Sequence, residues 1–232
     1  MIHRLLYALF YLADIINRLI SLLFRAERRR RNNYIYNMKI SGNEKVLQRG
    51  YIGNQTRLYM YRFGICPFDF NGCGAVALYN IMYFHGKADS FVKMLCRLEK
   101  TVLALGYLGS SPIAMMRFLE KYGFSVTLVS TKENIYKLRE KDSCLIHYFI
   151  RKDFSAHCVA GLPRGDGKFF FYNGTVAPEH ALKPAEYIAA TEKGIIAKDF
   201  DSEVPEGDNI LIKCMLFSAG DGLTPEGEAV YR

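Results

Sequence analysis

The stretch "NGCGAVALYN", Asn71 to Asn80, places a cysteine between two glycines, immediately before a run of small and apolar residues. Gly72 and Gly74 allow a tight turn. The apolar residues from Ala75 to Met82 recur at helical spacing, so the pattern predicts a helix that begins at Cys73. Unpaired amide groups and the positive end of the helix dipole gather at that first turn, where they lower the pKa of a thiol. Cys73 is therefore a candidate nucleophile, although a buried apolar thiol would suit the same stretch.

Composition restricts the class of protein. The chain has 232 residues, of which 50% are hydrophobic and 23% are charged, so it can bury a large core and is not a disordered chain. Its six cysteines include no Cys-x-x-Cys pair, which favours reduced thiols and a cytoplasmic compartment. The cysteines and histidines lack a recognised ligand spacing, so we expect no metal and no cofactor.

Positive charge is concentrated at the N-terminus. Residues 1–62 hold 12 Lys or Arg against 3 Asp or Glu, a net charge of +9, whereas residues 63–232 hold 19 against 20, a net charge of −1. A nucleic-acid-binding body would carry basic residues on its own surface. The nearly neutral body therefore argues against nucleic acid as a partner.

Residues 4–24, "RLLYALFYLADIINRLISLLF", are long enough to cross a bilayer, but Asp14, Asn17 and Arg18 interrupt them near the middle. Polar residues recur at alternating steps of three and four, which predicts an amphipathic helix. The basic run "RAERRRR" follows and favours an anionic membrane surface. Three interpretations stay open: a helix lying in a membrane surface, a helix packed against its own domain or a partner, and a spanning anchor. Both membrane interpretations leave the body cytoplasmic, at the inner face of the membrane.

The pattern divides the chain into three parts. We expect an amphipathic and basic N-terminal helix over residues 1–31, which is the candidate segment for membrane association. A linker or edge structure is expected over residues 32–62, and the folded catalytic domain over residues 63–232.

Within that domain, helical patterns come first and strand patterns follow. The helices are predicted over residues 73–84, 90–102 and 111–123. Apolar runs then predict strands near residues 125–130, 143–150, 157–162, 168–173 and 209–217, with a short helix over residues 132–141. Helices followed by an antiparallel sheet indicate an α+β domain.

A nucleophilic cysteine needs a base, and the base needs a third group that holds its tautomer. His157 opens one predicted strand, and the turn "PRGDGK" leads into the next strand, which ends at Asn173. The turn can close on Pro163 and Lys168 or in a register slipped by two, and both choices leave His157 and Asn173 at neighbouring strand ends. His147 is a rival base, but its neighbours predict a mid-strand position.

These motifs resemble the papain-like cysteine peptidases, and in particular the bacterial double-glycine leader peptidase domains, which process bacteriocins. "GCGAVALYNIM" is similar to that family's nucleophile helix, "AHCVAG" to its histidine strand and "FFFYNG" to the strand of its third residue. The resemblance implies a papain-like fold in which the nucleophile helix packs on an antiparallel sheet. It also implies a cysteine peptidase in which Cys73 attacks the carbonyl carbon of a peptide or amide substrate. His157 would move the proton, and Asn173 would orient the imidazole.

One position departs from that family. A Gln about six residues before the Cys is usual there as an oxyanion donor, and Pro67 takes that place here. The resemblance implies the backbone N–H of Cys73 as one donor, and the Asn71 amide is the candidate for the second, because Gln48 and Gln55 would need an unusual loop. Three functions stay open: a Cys-His-Asn hydrolase that forms a thioester acyl-enzyme, an inactive papain-like binding domain, and a membrane-surface interaction protein.

Overall fold

The computed structural model describes residues 2–43, 50–129, 144–151, 156–164, 166–173, 181, 183 and 210–221. The short helix predicted over residues 132–141 lies outside this part of the chain. The described residues form six α-helices and, towards the C-terminus, a five-stranded antiparallel sheet. The α+β class predicted from the sequence is therefore confirmed.

All six helices precede the large sheet in the chain. They are α1 (Ile2–Leu23), α2 (Ala26–Asn43), α3 (Phe68–Asn71), α4 (Cys73–Phe84), α5 (Phe91–Leu98) and α6 (Pro112–Lys121). Short 3-10 turns lie at Gln55–Leu58, Glu99–Thr101 and Ala104–Gly106. Two short strands, β1 (Arg62–Phe63) and β2 (Cys66–Pro67), form an antiparallel hairpin directly before α3.

The large sheet has the strand order β3-β7-β4-β5-β6, and each neighbouring pair is antiparallel. The strands are β3 (Phe124–Val129), β4 (Cys144–Arg151), β5 (Ala156–Pro163), β6 (Phe169–Tyr172) and β7 (Ile210–Asp221). The β5–β6 hairpin pairs Pro163 with Phe169, a register that lies between the two closures considered from the sequence.

Helix α4 lies at the centre of the core. Every residue from Cys73 to Met82 is buried, so the helix is enclosed on all sides, as its apolar sequence requires. It packs against β5, α5 and α6. Gly74 permits this close packing, because a Cβ atom there would lie 2.6 Å from Ser110 Cβ. The helix predicted over residues 73–84 is confirmed with the same bounds.

The next two predicted helices are also present. α5 ends at Leu98 and continues as a 3-10 turn, so the α-helical part is shorter than the predicted range of 90–102. α6 begins with the predicted cap, since Ser111 Oγ accepts a hydrogen bond from Ala114 N at 3.2 Å and Pro112 takes the first helical position.

Helix α1 packs on the body through polar side chains. Asn17 Nδ2 donates to Val102 O at 2.7 Å, and Asn17 Oδ1 accepts from Ala104 N at 2.9 Å. Asp14 is 2% exposed and forms an ion pair with Arg117 at 2.5 Å. The helix therefore contacts its own domain, which was one of the three interpretations, and it does so with polar residues facing inward.

The other side of α1 is apolar and exposed. None of the described helices is long and apolar enough to cross a membrane. The side chains that form this outer face of α1 are between 43% and 79% exposed and are Leu9, Leu12, Ile15, Ile16, Leu19, Leu22 and Leu23.

Residues 32–43 belong to α2, so the linker or edge structure predicted over residues 32–62 does not describe them. Two buried amides attach α2 to the body. Asn37 exchanges two hydrogen bonds, each of 2.9 Å, with the main chain of Arg62, and Asn33 Nδ2 donates to Gly64 O at 2.7 Å. These long-range bonds stabilise a helix that has no apolar stripe of its own, which is why pattern alone missed it. The division into three domains stays a prediction.

We expect Asn17→Ala to lower the free energy of unfolding by about 1–3 kcal/mol, because the buried carbonyl of Val102 and the partly buried N–H of Ala104 each lose their partner. Leu19→Ala, on the outer face of α1, is the control and should change the free energy by less than about 0.5 kcal/mol. Urea unfolding of both variants measures the difference. Equal stability of the two variants would contradict the inward polar packing of α1.

Candidate active site

Cys73 is the first residue of α4, as the sequence predicted. Gly72 joins α3 to α4: its N–H donates to Phe68 O at 2.7 Å, and its carbonyl accepts from Val76 N at 2.8 Å. A Cβ atom at Gly72 would meet Phe68 O at 2.5 Å, so this close junction requires glycine. The junction leaves Cys73 at the N-terminal end of the helix, where free N–H groups and the dipole favour a thiolate.

The Cys73 thiol lies against the first residues of β5. Its Sγ is 4.0 Å from Ala156 O, and the residue is 5% exposed. Hydrogen bonding to the Cys158 side chain lowers the pKa of the thiol well below its usual value; burial raises that pKa, and the hydrogen bond and charge of His157 lower it further. Neighbouring residues of a strand point to opposite faces, so the sequence predicted that His157 but not Cys158 would contact the thiol.

The His157 ring is held by a main-chain carbonyl. Its Nε2 lies 2.8 Å from Asn173 O. A carbonyl oxygen carries no proton, so Nε2 must be the donor, and the neutral ring then keeps its free lone pair on Nδ1. Phe149 stands opposite His157 in the β4–β5 register, and its ring packs at a centroid distance of 5.5 Å. The fixed tautomer leaves Nδ1 free to accept a proton from a thiol.

Asn173 follows β6 directly and is 7% exposed. Its backbone has a left-handed φ of 61°, a conformation that Asn tolerates better than most residues. The resemblance implies that the Asn173 carboxamide orients the imidazole. In the structure the main-chain carbonyl of Asn173 accepts the hydrogen bond from His157 Nε2, while the Asn173 side chain bonds to Gln55. Asn173 therefore lies next to His157, but it contacts the ring through its main-chain carbonyl and not through its carboxamide.

Asn71 was the candidate for the second oxyanion donor. It is 2% exposed, and its Nδ2 donates to Phe63 O at 2.7 Å and to Gly106 O at 3.0 Å. Both N–H bonds of the amide are thus engaged, because a carboxamide nitrogen has only two. The Asn71 side chain stabilises the loops before α3 and has no donor left for an oxyanion in this arrangement.

His147, the rival base, lies in the middle of β4, as its neighbours predicted. Burial lowers the pKa of His147 to about 3, and the charge of His157 lowers it too. Its ring packs on Phe149 at a centroid distance of 4.8 Å. His147 therefore stays neutral at ordinary pH and contributes to the core of the sheet.

A second cysteine–histidine contact lies at the other end of α4. Cys144 Sγ is 3.4 Å from Nε2 of His85, the residue that follows the helix. The length of α4 separates this contact from Cys73 by roughly 18 Å at 1.5 Å per residue. Cys144 is fully buried in a strand rather than placed at a helix N-terminus, so Cys73 is the better candidate nucleophile.

Among the residues that the structure describes, no three His, Cys, Asp or Glu side chains are grouped so that they could hold a metal ion. The described part of the site consists of a thiol, an imidazole and main-chain and amide groups. Such a set can carry out nucleophilic chemistry with proton transfer.

No family model matches the sequence, and no curated protein matches it. One similar solved structure is the peptidase domain of Streptococcus ComA, a bi-functional ABC transporter involved in a quorum-sensing pathway. The similarity has a TM-score of 0.39 and 12% sequence identity, and it covers 64% of this chain and 90% of the other.

Proposed function

We propose that the chain is a cysteine hydrolase of peptide or amide bonds. The observation that carries this proposal is the 2.8 Å contact between His157 Nε2 and Asn173 O, beside a thiol whose pKa is lowered. The carbonyl fixes the tautomer of the base, and the helix N-terminus stabilises the thiolate of Cys73. These are the two conditions that a nucleophilic cysteine needs.

In the proposed reaction, the Cys73 thiolate attacks the carbonyl carbon of the substrate, and the C=O electron pair moves to oxygen. The Cys73 backbone N–H donates to that oxyanion. Collapse of the intermediate breaks the C–N bond, and the protonated His157 gives its proton to the leaving amine. Water then attacks the thioester with His157 as base, which releases the acid and restores the thiol.

One observation favours an inactive binding domain as the alternative. Pro67 stands where the resembled family has its oxyanion Gln, and both N–H bonds of Asn71 are engaged elsewhere. Loss of one oxyanion donor slows a hydrolase by about 10²–10³-fold in kcat. A slow hydrolase therefore suits the site better than a fast one.

We expect the wild-type protein to cleave members of a peptide library and Cys73→Ala to lose that cleavage. In His157→Ala the rate of cleavage should fall by about 10²–10⁴-fold, because general base catalysis contributes that much to the rate. Cys96→Ala is the matched control, since burial raises the pKa of the Cys96 thiol and this residue lies on α5. Mass spectrometry identifies the cleavage products. It also identifies the cysteine that a peptide epoxide labels.

Cleavage that survives in Cys73→Ala would contradict the proposal. Peptide binding without cleavage, unchanged in Cys73→Ala, would instead support the binding domain. Labelling that falls on Cys96 and not on Cys73 would also count against a nucleophile at the start of α4.

We also propose that the outer face of α1 lies on an anionic membrane surface. Seven large apolar side chains face away from the domain, and such a stripe is typical of helices that lie in the plane of a membrane. The five described cysteines form no disulfide, which fits a reducing compartment, so we propose the cytoplasmic side of the membrane.

Arginines close to the C-terminal end of α1 support an anionic partner. A groove of about 910 Å³ lies between α2 and the β1–β2 hairpin, next to Phe24. No Asp or Glu occurs among the described residues that line it, whereas four arginines do: Arg25, Arg28, Arg29 and Arg62. Each basic residue near an anionic leaflet contributes about 1 kcal/mol to binding.

We expect the protein to float with vesicles that contain phosphatidylserine, and less with phosphatidylcholine alone. Leu19→Asp combined with Leu23→Asp should weaken binding to the anionic vesicles by at least about tenfold, because charges then enter the apolar contact. Leu108→Asp, at an exposed loop residue outside α1, is the control. Unchanged flotation of the double variant, or a dimer in solution that the double variant abolishes, would contradict the membrane proposal.

A further inference from the structure

Two buried amides lie behind the carbonyl that holds His157. Asn173 Nδ2 donates to Gln55 Oε1 at 2.8 Å, and Gln55 N donates to Asn173 Oδ1 at 3.1 Å. Both ends of the Asn173 carboxamide therefore bond to one residue, which lies 118 positions earlier in the chain. Asn173 N adds a third bond to the same segment, at 3.0 Å from Gly53 O.

The other end of the Gln55 side chain reaches the helical part of the site. Gln55 Nε2 donates to Asp69 O at 2.6 Å. Asp69 lies in α3, which continues through Gly72 into Cys73. One side chain thus connects the residue that orients the imidazole with the segment that precedes the thiol.

These bonds constrain the backbone of Asn173. The direction of its carbonyl depends on its left-handed φ and on the position of the chain after β6. An Asn side chain bonded at both ends cannot rotate, and Gln55 is 8% exposed, so water does not readily replace a lost partner. A substitution of Gln55 removes the bond that Asn173 Nδ2 donates to the Gln55 side chain, and only the main-chain bond from residue 55 N to Asn173 Oδ1 then holds the carboxamide.

We propose that Gln55 is a positioning residue of the active site, which sets the distance and angle of His157 to Cys73 by fixing Asn173 against α3. This inference rests on the proposed cysteine hydrolase. Gln55 does not touch the reacting atoms; it acts through Asn173. Its amide is already engaged on both sides, which distinguishes this role from that of an oxyanion donor.

The test uses Gln55→Met, which keeps the shape of the side chain but removes its amide, and Gln55→Glu, which keeps the acceptor for Asn173. Asn37→Leu is the matched control, because Asn37 is also a buried amide with two main-chain bonds, but it lies in α2. The measurement is the rate at which iodoacetamide alkylates Cys73 as a function of pH, with the labelled peptide identified by mass spectrometry. Thermal unfolding of each variant accompanies it.

Near pH 6, where the thiolate depends on His157, we expect iodoacetamide to alkylate Cys73 roughly tenfold more slowly in Gln55→Met than in wild type. Near pH 9 the two rates should be nearly equal. In Gln55→Glu the rate near pH 6 should fall less. Asn37→Leu should be destabilised but should keep the wild-type pH profile. A merely structural role for Gln55 would lower the unfolding temperature without this pH-dependent change.

A Gln55→Met profile that matches wild type would overturn the inference while leaving the proposed function intact. If wild-type Cys73 itself reacts like a free cysteine at every pH, both the proposed function and the role of Gln55 are wrong. A low-pH loss confined to the Gln55 variants supports both.

Discussion

The position at which α4 begins decides where the Cys73 thiol can lie, and the rest of the site is built against that point. α4 is enclosed on all sides, so it cannot slide without exposing apolar surface or opening cavities in the core. Gly72 and Gly74 leave no space for a side chain on either side of Cys73. The helix N-terminus therefore meets the start of β5 at a fixed place, within reach of His157 and Cys158.

Side-chain amides hold the irregular parts of the fold. A carboxamide offers a donor and an acceptor, as a peptide group does, so it can replace the partner that a loop would have in a sheet. Asn80, for example, bonds to both the N–H and the carbonyl of Ile52, at 2.8 and 2.9 Å. Such bonds contribute modestly when made and cost more when one partner is lost. The buried or nearly buried amides of this kind are Asn17, Asn33, Asn37, Gln55, Asn71, Asn80 and Asn173.

Sequence pattern was sufficient where a structure depends on local periodicity. It predicted α4 with its bounds and the cap of α6 at Ser111. It also predicted that the helices precede the sheet in the chain and that His157 lies next to Asn173. It could not supply contacts between distant segments. The bonds of Gln55 to Asn173 and of Asn17 to Val102 join residues 118 and 85 positions apart, and no periodicity encodes them.

Two details of the structure could not be read from the sequence, for related physical reasons. The resemblance implied that Asn173 contacts the imidazole through its carboxamide. Its left-handed backbone instead turns its main-chain carbonyl towards His157, and a single Asn-Gly pair does not predict that φ. α1 was recognised as amphipathic, but the apolar side of an isolated helix does not say which side meets the domain. Specific bonds at Asn17 and the ion pair at Asp14 decide that the polar side does.

The central claim is that Cys73 carries a thiolate stabilised beside His157. Its most direct measurement is the ultraviolet absorbance of the thiolate during a pH titration, taken as the difference between wild type and Cys73→Ser. Because the pKa of Cys73 is lowered, the thiol should ionise in a step well below the value of about 8.5 for a free cysteine. The same step should move to higher pH in His157→Ala. A step at or above the value of a free cysteine, or one that does not move in His157→Ala, would contradict the account.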